Sequence, residues 1–293
     1  MHRQFKFIWP LLLTVASFAL DITVATDSGT IVVFGLSKNK IVVAADSRST
    51  GEHPGDHQCK IIALSDKFVF ASNGLADVSM ERISPPSKRI VIMDSNDEAE
   101  IAFKSVPPGS DDFLRKAAVL WGRHVSRTLQ SAIATYGPNS VFGNRSDNPI
   151  TNGYFFGPSP TGGLVLYMEN VTRQGNSVSF DSEPQVIELA ETMRYAGQGL
   201  FRDSIAELAQ GKSEWAKNEA LQRQSRLATA PKDDRDVLTA VSLIQSVLNA
   251  HPDNREVGGP IDSLTLDPVN GVRWHSRKKE CSRSALRQSL PIH

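Results

Sequence analysis

The chain has 293 residues, 40% of them hydrophobic and 22% charged, ordinary values for a folded protein and enough for one large domain with a substantial core. Its 32 basic and 32 acidic side chains leave no formal net charge. That balance advertises neither a nucleic acid nor an acidic polymer as partner.

The chain opens on a short basic stretch, Met1 to Lys6, and then runs without a charge from Phe7 to Leu20. This is the pattern of a secretory signal peptide, and the run is short of the roughly 20 apolar residues a membrane-spanning helix needs. Residues 1–25 are read as a removed signal, with cleavage after Ala19 or Ala25; an uncleaved anchor or a propeptide is the alternative. The expected location is secreted or periplasmic, with no stable membrane anchor once the signal is gone. The two cysteines, Cys59 and Cys281, could be joined in an exported protein, and two unpaired thiols are the equal alternative. Asn144-Arg145-Ser146 and Asn170-Val171-Thr172 fit the glycosylation acceptor pattern of a eukaryotic host.

Thr30–Leu36 and Ile41–Ala45 are apolar, β-branched runs around a polar Ser37–Lys40, which predicts a β-hairpin buried on both faces. Lys60–Leu64 and Phe68–Ala71 predict a second hairpin around Ser65-Asp66-Lys67. Residues 81–110, with Pro85-Pro86 and Pro107-Pro108, read mostly as irregular connection. From Asp111-Asp112 onward Leu114, Ala117, Ala118, Trp121, Val125, Leu129, Ala132 and Ile133 recur at helical spacing, with Gly137 as the stop. Tyr154–Phe156 and Leu164–Met168 predict a third hairpin, and Met193–Ala196 a short strand. Helical patterns return over 200–227 and at Val237, Ala240, Val241, Ile244 and Val247, and a last hairpin closes near Trp274. Strands in hairpins with helices gathered in blocks indicate an α+β fold of stacked layers, not a doubly wound parallel sheet. Residues 276–293 are polar and basic and are read as a disordered tail.

Hairpin geometry brings chemistry together. The turn at Lys38-Asn39 puts Thr30 opposite, or diagonally beside, Asp46, and the turn at Asp66 puts Lys60 opposite Ser72 and Asn73. If both hairpins share a sheet, a hydroxyl, a carboxylate and an ammonium converge at one end of it. The ordinary alternative is a strand threonine beside a structural ion pair. His53, His57 and Cys59 are close in sequence, but Pro54-Gly55 between them breaks a helix, so they are read as a polar loop and not as a metal site. Gly197-Gln198-Gly199 is too short for a dinucleotide motif, and no cofactor is expected.

Gly29-Thr30-Ile31-Val32-Val33, Ile41-Val42-Val43-Ala44-Ala45-Asp46-Ser47-Arg48, Cys59-Lys60-Ile61-Ile62 and Asn73-Gly74-Leu75-Ala76-Asp77 together resemble the start of proteasome β-type subunits, members of the N-terminal-nucleophile hydrolase superfamily. Asp46 lies sixteen residues after Thr30, as in that family. The Tyr154–Met168 hairpin, Tyr195-Ala196-Gly197 and Val257-Gly258-Gly259 fit in order, so the resemblance extends over residues 29–275. It implies a four-layer α/β/β/α sandwich of two mainly antiparallel sheets. It also implies an exported threonine amidohydrolase, a peptidase, activated by cleavage between Gly29 and Thr30.

By the same resemblance Thr30 is the nucleophile, with Asp46 and Lys60 as its charged partners. Backbone N–H groups at Asn73 and Gly74 hold the oxyanion, and Gln198 and Asn254 stand at supporting positions. The sequence departs from the family at Asn73, where glycine is usual, and at Gln198, where a serine is usual; the family's later aspartate and serine correspond loosely to Asn254 (or Asp253) and Val257. The implied partner is a peptide or a small amide, and the family's ring assemblies extend that to a homo-oligomer or ring. The rival function is a catalytically inactive member of the fold with a structural or binding role.

Overall fold

A computed structural model describes residues 22–27, 30–48, 58–82, 89–142, 149–199, 201–255 and 257–281. The Met1–Leu20 run, Gly29, the His53–His57 loop, the Asn144 acceptor and residues 282–293 lie outside the described residues.

The strands are β1 (Ile22–Asp27), β2 (Ile31–Ser37), β3 (Lys40–Ala45), β4 (Ile61–Ala63), β5 (Val69–Gly74), β6 (Asp77–Arg82) and β7 (Arg89–Asp94). Helices α1 (Ser95–Ser105), α2 (Phe113–Tyr136) and α3 (Pro138–Phe142) follow. Then come β8 (Thr151–Pro158), β9 (Leu164–Gln174), β10 (Ser177–Phe180), β11 (Gln185–Ile187) and β12 (Arg194–Gly199). Helices α4 (Arg202–Gln210), α5 (Glu214–Ala228) and α6 (Arg235–Ala250) precede the closing pair β13 (Asp262–Asp267) and β14 (Gly271–Ser276). The class is α+β, and every strand pair among the described residues is antiparallel. No helix among them is long and apolar enough to cross a membrane.

One sheet has the order β12-β2-β3-β13-β14, a second has β10-β9-β8-β5-β4 with β11 paired to β9, and β1-β6-β7 form a small third. The continuous apolar runs of β2 and β3 follow from burial on both faces. Alternate residues of a strand point to opposite sides. Ile31, Val33, Val42 and Ala44 accordingly pack on Ile205 of α4 and on Ala240 and Ile244 of α6. Val32, Phe34, Val43 and Ala45 pack the other way, on Ile61, Ala71, Tyr154 and Phe156 of the second sheet. The second sheet's far face carries Phe70 and Phe155 against Trp121 of α2. The two larger sheets therefore meet face to face, with helices on their outer faces.

The α2 stripe is the predicted one, and Gly137 ends the helix with its N–H on Ile133 O. Within residues 81–110, expected as mostly irregular connection, the described residues instead include the end of β6, all of β7 and all of α1. Asp94 caps α1 by accepting from the N–H groups of Asn96 and Asp97, a start signal that the neighbouring prolines obscured. The helical pattern over 200–227 is two helices, because Gly211 stops α4 in the left-handed conformation and Ser213 caps α5. Residues 22–25, the end of the stretch read as a signal, belong to β1, which pairs along its whole length with β6.

Candidate active site

Thr30 stands at the entry of β2 and Asp46 at the exit of β3, joined through a two-residue turn at the far end of the hairpin. Ile31 N–H donates to Asp46 Oδ1 at 2.7 Å, and Asp46 N–H donates to Ile31 O at 3.1 Å. Thr30 is thus one residue beyond the residue that faces Asp46, the diagonal placement that the turn predicts. Lys60 precedes β4, and its carbonyl accepts from Ser72 N–H at 3.1 Å.

The two hairpins do not share a sheet. The β2–β3 hairpin belongs to the first sheet and β4–β5 to the second, so Lys60 reaches Asp46 across the interface between the sheets. Its Nζ donates to Asp46 Oδ1 at 2.8 Å and to Arg48 O at 2.6 Å. Thr30, Asp46 and Lys60 are all within 3% of complete burial. An ammonium taken out of water without a partner costs several kcal/mol, roughly, so this lysine depends on its carboxylate. Burial pushes the Lys60 amine below the ordinary lysine value. Asp46 opposes that fall through charge and hydrogen bonding, while the nearby cations Lys278 and Arg48 add to it.

Asp46 is satisfied on its other side by a residue that the hairpin argument did not find. Gly258 N–H donates to Asp46 Oδ2 at 2.9 Å, and Gly258 O accepts from the N–H groups of Ser47 and Arg48. At Gly258 φ is +141°, and a Cβ there would stand 2.8 Å from the Arg48 guanidinium carbon. The sequence signal was the Val257-Gly258-Gly259 match, but nothing local ties a loop 212 residues away to Asp46. Ser47 strengthens the same junction by donating its hydroxyl to Pro260 O at 2.6 Å.

Gly74 ends β5 with φ +90°, and a Cβ there would lie 2.4 Å from Ile150 O, so the position admits only glycine without strain. Asn73 is buried, with its Oδ1 accepting from Asn152 Nδ2 at 2.9 Å and from Tyr154 Oη at 3.3 Å. That pairing gives the buried asparagine side-chain oxygen two donors. Gln198 is half-buried on β12, opposite Val32. Its neighbour Gly199 runs so close to Thr30 that a Cβ would sit 2.2 Å from Thr30 O. Asn73, Asn152, Gln198, Gly199 and Arg202 line a polar cavity of about 340 Å³ on this side of Thr30. Asn254 lies in the turn after α6, donating its N–H to His251 O, four residues before Gly258.

A disulfide joins Cys59, next to Lys60, to Cys281. It ties residues 277–281 onto the site's flank. There Lys278 Nζ donates to Gln58 O at 2.5 Å and pairs with Asp262 Oδ2 at 3.2 Å. The pairing also removes Cys59 as a thiolate metal ligand, and no group of metal-binding side chains occurs among the described residues.

No protein-family model matches the sequence, and a search of curated proteins returns no match.

Proposed function

We propose that this chain is an exported threonine-type N-terminal-nucleophile amidohydrolase acting on peptides, switched on by cleavage between Gly29 and Thr30. The fold reading that goes with it is the four-layer α/β/β/α sandwich of that superfamily. The observation that carries the proposal is the sealed Lys60–Asp46 pair, hydrogen-bonded to the backbone of the residue directly after Thr30. A buried lysine lowered by desolvation, paired to the carboxylate that holds the backbone directly after a hydroxyl residue, is the kind of perturbed charge cluster that marks a candidate functional site.

In this reading the cut frees the Thr30 α-amine, whose ordinary pKa of about 7.7–8 suits a general base. The amine takes the proton from the Thr30 hydroxyl as Oγ attacks the substrate carbonyl. The Lys60 ammonium disfavours a second positive charge nearby and so keeps that amine available. The negative charge on the carbonyl oxygen is met by backbone N–H groups at Asn73 and Gly74. The C–N bond then breaks, the amine returns its proton to the leaving nitrogen, and water hydrolyses the Thr30 ester. Lys60 and Asp46 remain charge partners throughout, with no cofactor in any step. The Cys59–Cys281 bond is compatible with an extracytoplasmic location.

The test is hydrolysis of a library of fluorogenic peptides by the purified chain and by Thr30→Ala. The proposal expects turnover that Thr30→Ala lowers by at least a thousandfold. Turnover unchanged by that substitution overturns it and leaves the structural or binding role.

A further inference from the structure

The polar cavity beside Thr30 is walled by both larger sheets and one helix end. Asn73 of β5 and Asn152 of β8 line it from the second sheet, Gly199 of β12 from the first, and Arg202–Ser204, the first turn of α4, complete it. Asn73 is only 6% exposed. Its Oδ1 accepts from Asn152 Nδ2 and Tyr154 Oη, which fixes the amide and turns its Nδ2 the other way. That Nδ2 donates to no group among the described residues. It stands 3.5 Å from the place of a Gly199 Cβ, beside Thr30 O, so this donor faces the space that the missing side chain keeps open. The second feature is the start of α4, which has no side-chain cap. Phe201 is held there at φ 62°, a left-handed conformation that a bulky residue rarely adopts. The first intrahelical bond is Ile205 N–H to Phe201 O, so the N–H groups of Arg202, Asp203 and Ser204 lie ahead of it at the helix's positive end. The third feature is the Arg202 charge. Its Nε lies 3.4 Å from Asp203 Oδ1, the one acidic side chain among the described lining residues, and both side chains are exposed. Burial lifts the Tyr154 hydroxyl above its ordinary value, and the Asn152 hydrogen bond and then the Arg202 charge oppose that rise. The guanidinium thus acts on the same wall that carries Asn73.

We propose that this cavity holds a carboxylate on the leaving half of a peptide substrate, bound by Arg202, the first N–H groups of α4 and Asn73 Nδ2. This rests on the reading that Thr30 is freed by a cut after Gly29. Under that reading the residues before Thr30 are the acyl half. The described ones, in β1, belong to the third sheet, and no described residue of that sheet lines the cavity. The cavity is left for the half that departs. Uncapped helix N–H groups attract an anion, and a guanidinium gives it charge-assisted hydrogen bonds. Asn73 adds a neutral donor that is oriented before any ligand arrives, which lowers the cost of binding one. A volume of about 340 Å³ is at the small end of ligand pockets and suits about one or two residues, not a long segment. The substrate class narrows accordingly, to peptides cut close to a free C-terminus or just ahead of an acidic residue. A small neutral amide presents nothing to these donors.

The test compares the full chain with Arg202→Gln, an exchange at an exposed side chain. One series of peptides shares an acyl half and ends one, two or three residues after the scissile bond, as a free acid or as an amide. A second series is amide-capped and carries Asp or Glu, against Asn or Gln, at those positions. At one length the acid should exceed its neutral twin in kcat/KM by at least tenfold, roughly what one hydrogen bond to a charged group supplies. Arg202→Gln should bring that ratio below threefold. Preference in the first series names the chain end as the source of the carboxylate, and preference in the second names a side chain; either supports the proposal. No preference in either series, or one that Arg202→Gln leaves intact, overturns it. A titration by calorimetry gives the answer without turnover. The probes are the dipeptide Ala-Ala against its amide, and Ala-Glu amide against Ala-Gln amide. In one of these pairs the probe with the extra carboxylate should bind at least tenfold more tightly to the natural chain, and the advantage should vanish in Arg202→Gln. Such binding by a chain that hydrolyses no peptide would sink the enzymatic reading while leaving the carboxylate site standing. Hydrolysis indifferent to the leaving half's charge would do the reverse.

Discussion

Asp46 and Glu169 are carboxyl groups buried equally deeply, one at the end of β3 in the first sheet and one in the middle of β9 in the second. Asp46 receives Lys60 Nζ, Ile31 N–H and Gly258 N–H. Neither side-chain oxygen of Glu169 has a hydrogen-bond partner, and the nearby Asp181 N–H is spent on Asn170 O. Burial first, and the Asp181 charge second, push the Glu169 carboxyl up to about 9. On the facing helix Gly122 leaves the room this side chain occupies, since a Cβ there would lie 2.8 Å from Glu169 Cγ. Depth of burial is the same in the two places, so depth does not decide the charge state; the donors that arrive with the backbone do. A buried carboxylate with three donors organises charge near Thr30, whereas an unpartnered one is held as a neutral acid in the α2 layer.

The sharpest way to break this contrast is to remove partners from the first site. Asp46→Ala strands a buried ammonium and should cost about 3–5 kcal/mol in urea unfolding. Lys60→Met should cost less, because Asp46 keeps its two backbone donors. Equal losses from the two would show that the backbone N–H groups contribute nothing to Asp46. Removing the clamp beside Lys60 comes next. The Cys59→Ser, Cys281→Ser double variant frees a link spanning 222 residues and should lose about 2–5 kcal/mol, read from the same unfolding curves. A loss below about 1 kcal/mol would mean that the contacts of Lys278 with Asp262 and Gln58 fasten residues 277–281 without the disulfide.

The second site predicts a pH dependence of known sign. The Glu169 carboxyl titrates higher folded than unfolded, so its contribution is fully present below about 4.5 and is lost as pH rises towards about 9. Glu169→Gln should therefore stabilise the chain by about 5 kcal/mol more at pH 8 than at pH 4, measured as urea midpoints. Lys60 works in the opposite direction. Its amine is lowered on folding, so the folded chain gains stability as pH rises from the lowered value towards the ordinary one, and Lys60→Met removes that gain. A variant pair that shifts both slopes the same way would contradict the assignment. The smallest effect is backbone strain: Gly74→Ala, at φ +90° and against Ile150 O, should cost about 1–3 kcal/mol.

The parts of this arrangement that were legible in the sequence are those with local causes. The β2–β3 hairpin follows from two β-branched runs and a polar turn, and with it the adjacency of Thr30 and Asp46. The α2 helix follows from the period of Leu114 through Ile133. The contact of Lys60 with Asp46 was anticipated but through the wrong geometry, because hairpin spacing says nothing about whether two hairpins lie in one sheet or in two facing sheets. Gly258 was out of reach for a related reason, since its role is a single backbone N–H supplied from a distant loop. The β6–β7 hairpin was hidden by Pro85-Pro86, which mark a break without saying that strands flank it. Glu169 gave no signal at all: its isolation depends on the absence of a side chain at Gly122 of the facing helix.

The most direct measurement is the intact mass and N-terminal sequence of the protein recovered from the cells that make it and from their medium. The account predicts a chain beginning at Thr30, with the α-amine free beside the Lys60–Asp46 pair. A mature chain beginning at Leu20 or Thr26 would keep the Thr30 amine in a peptide bond, and would contradict the claim that Thr30 is an N-terminal nucleophile.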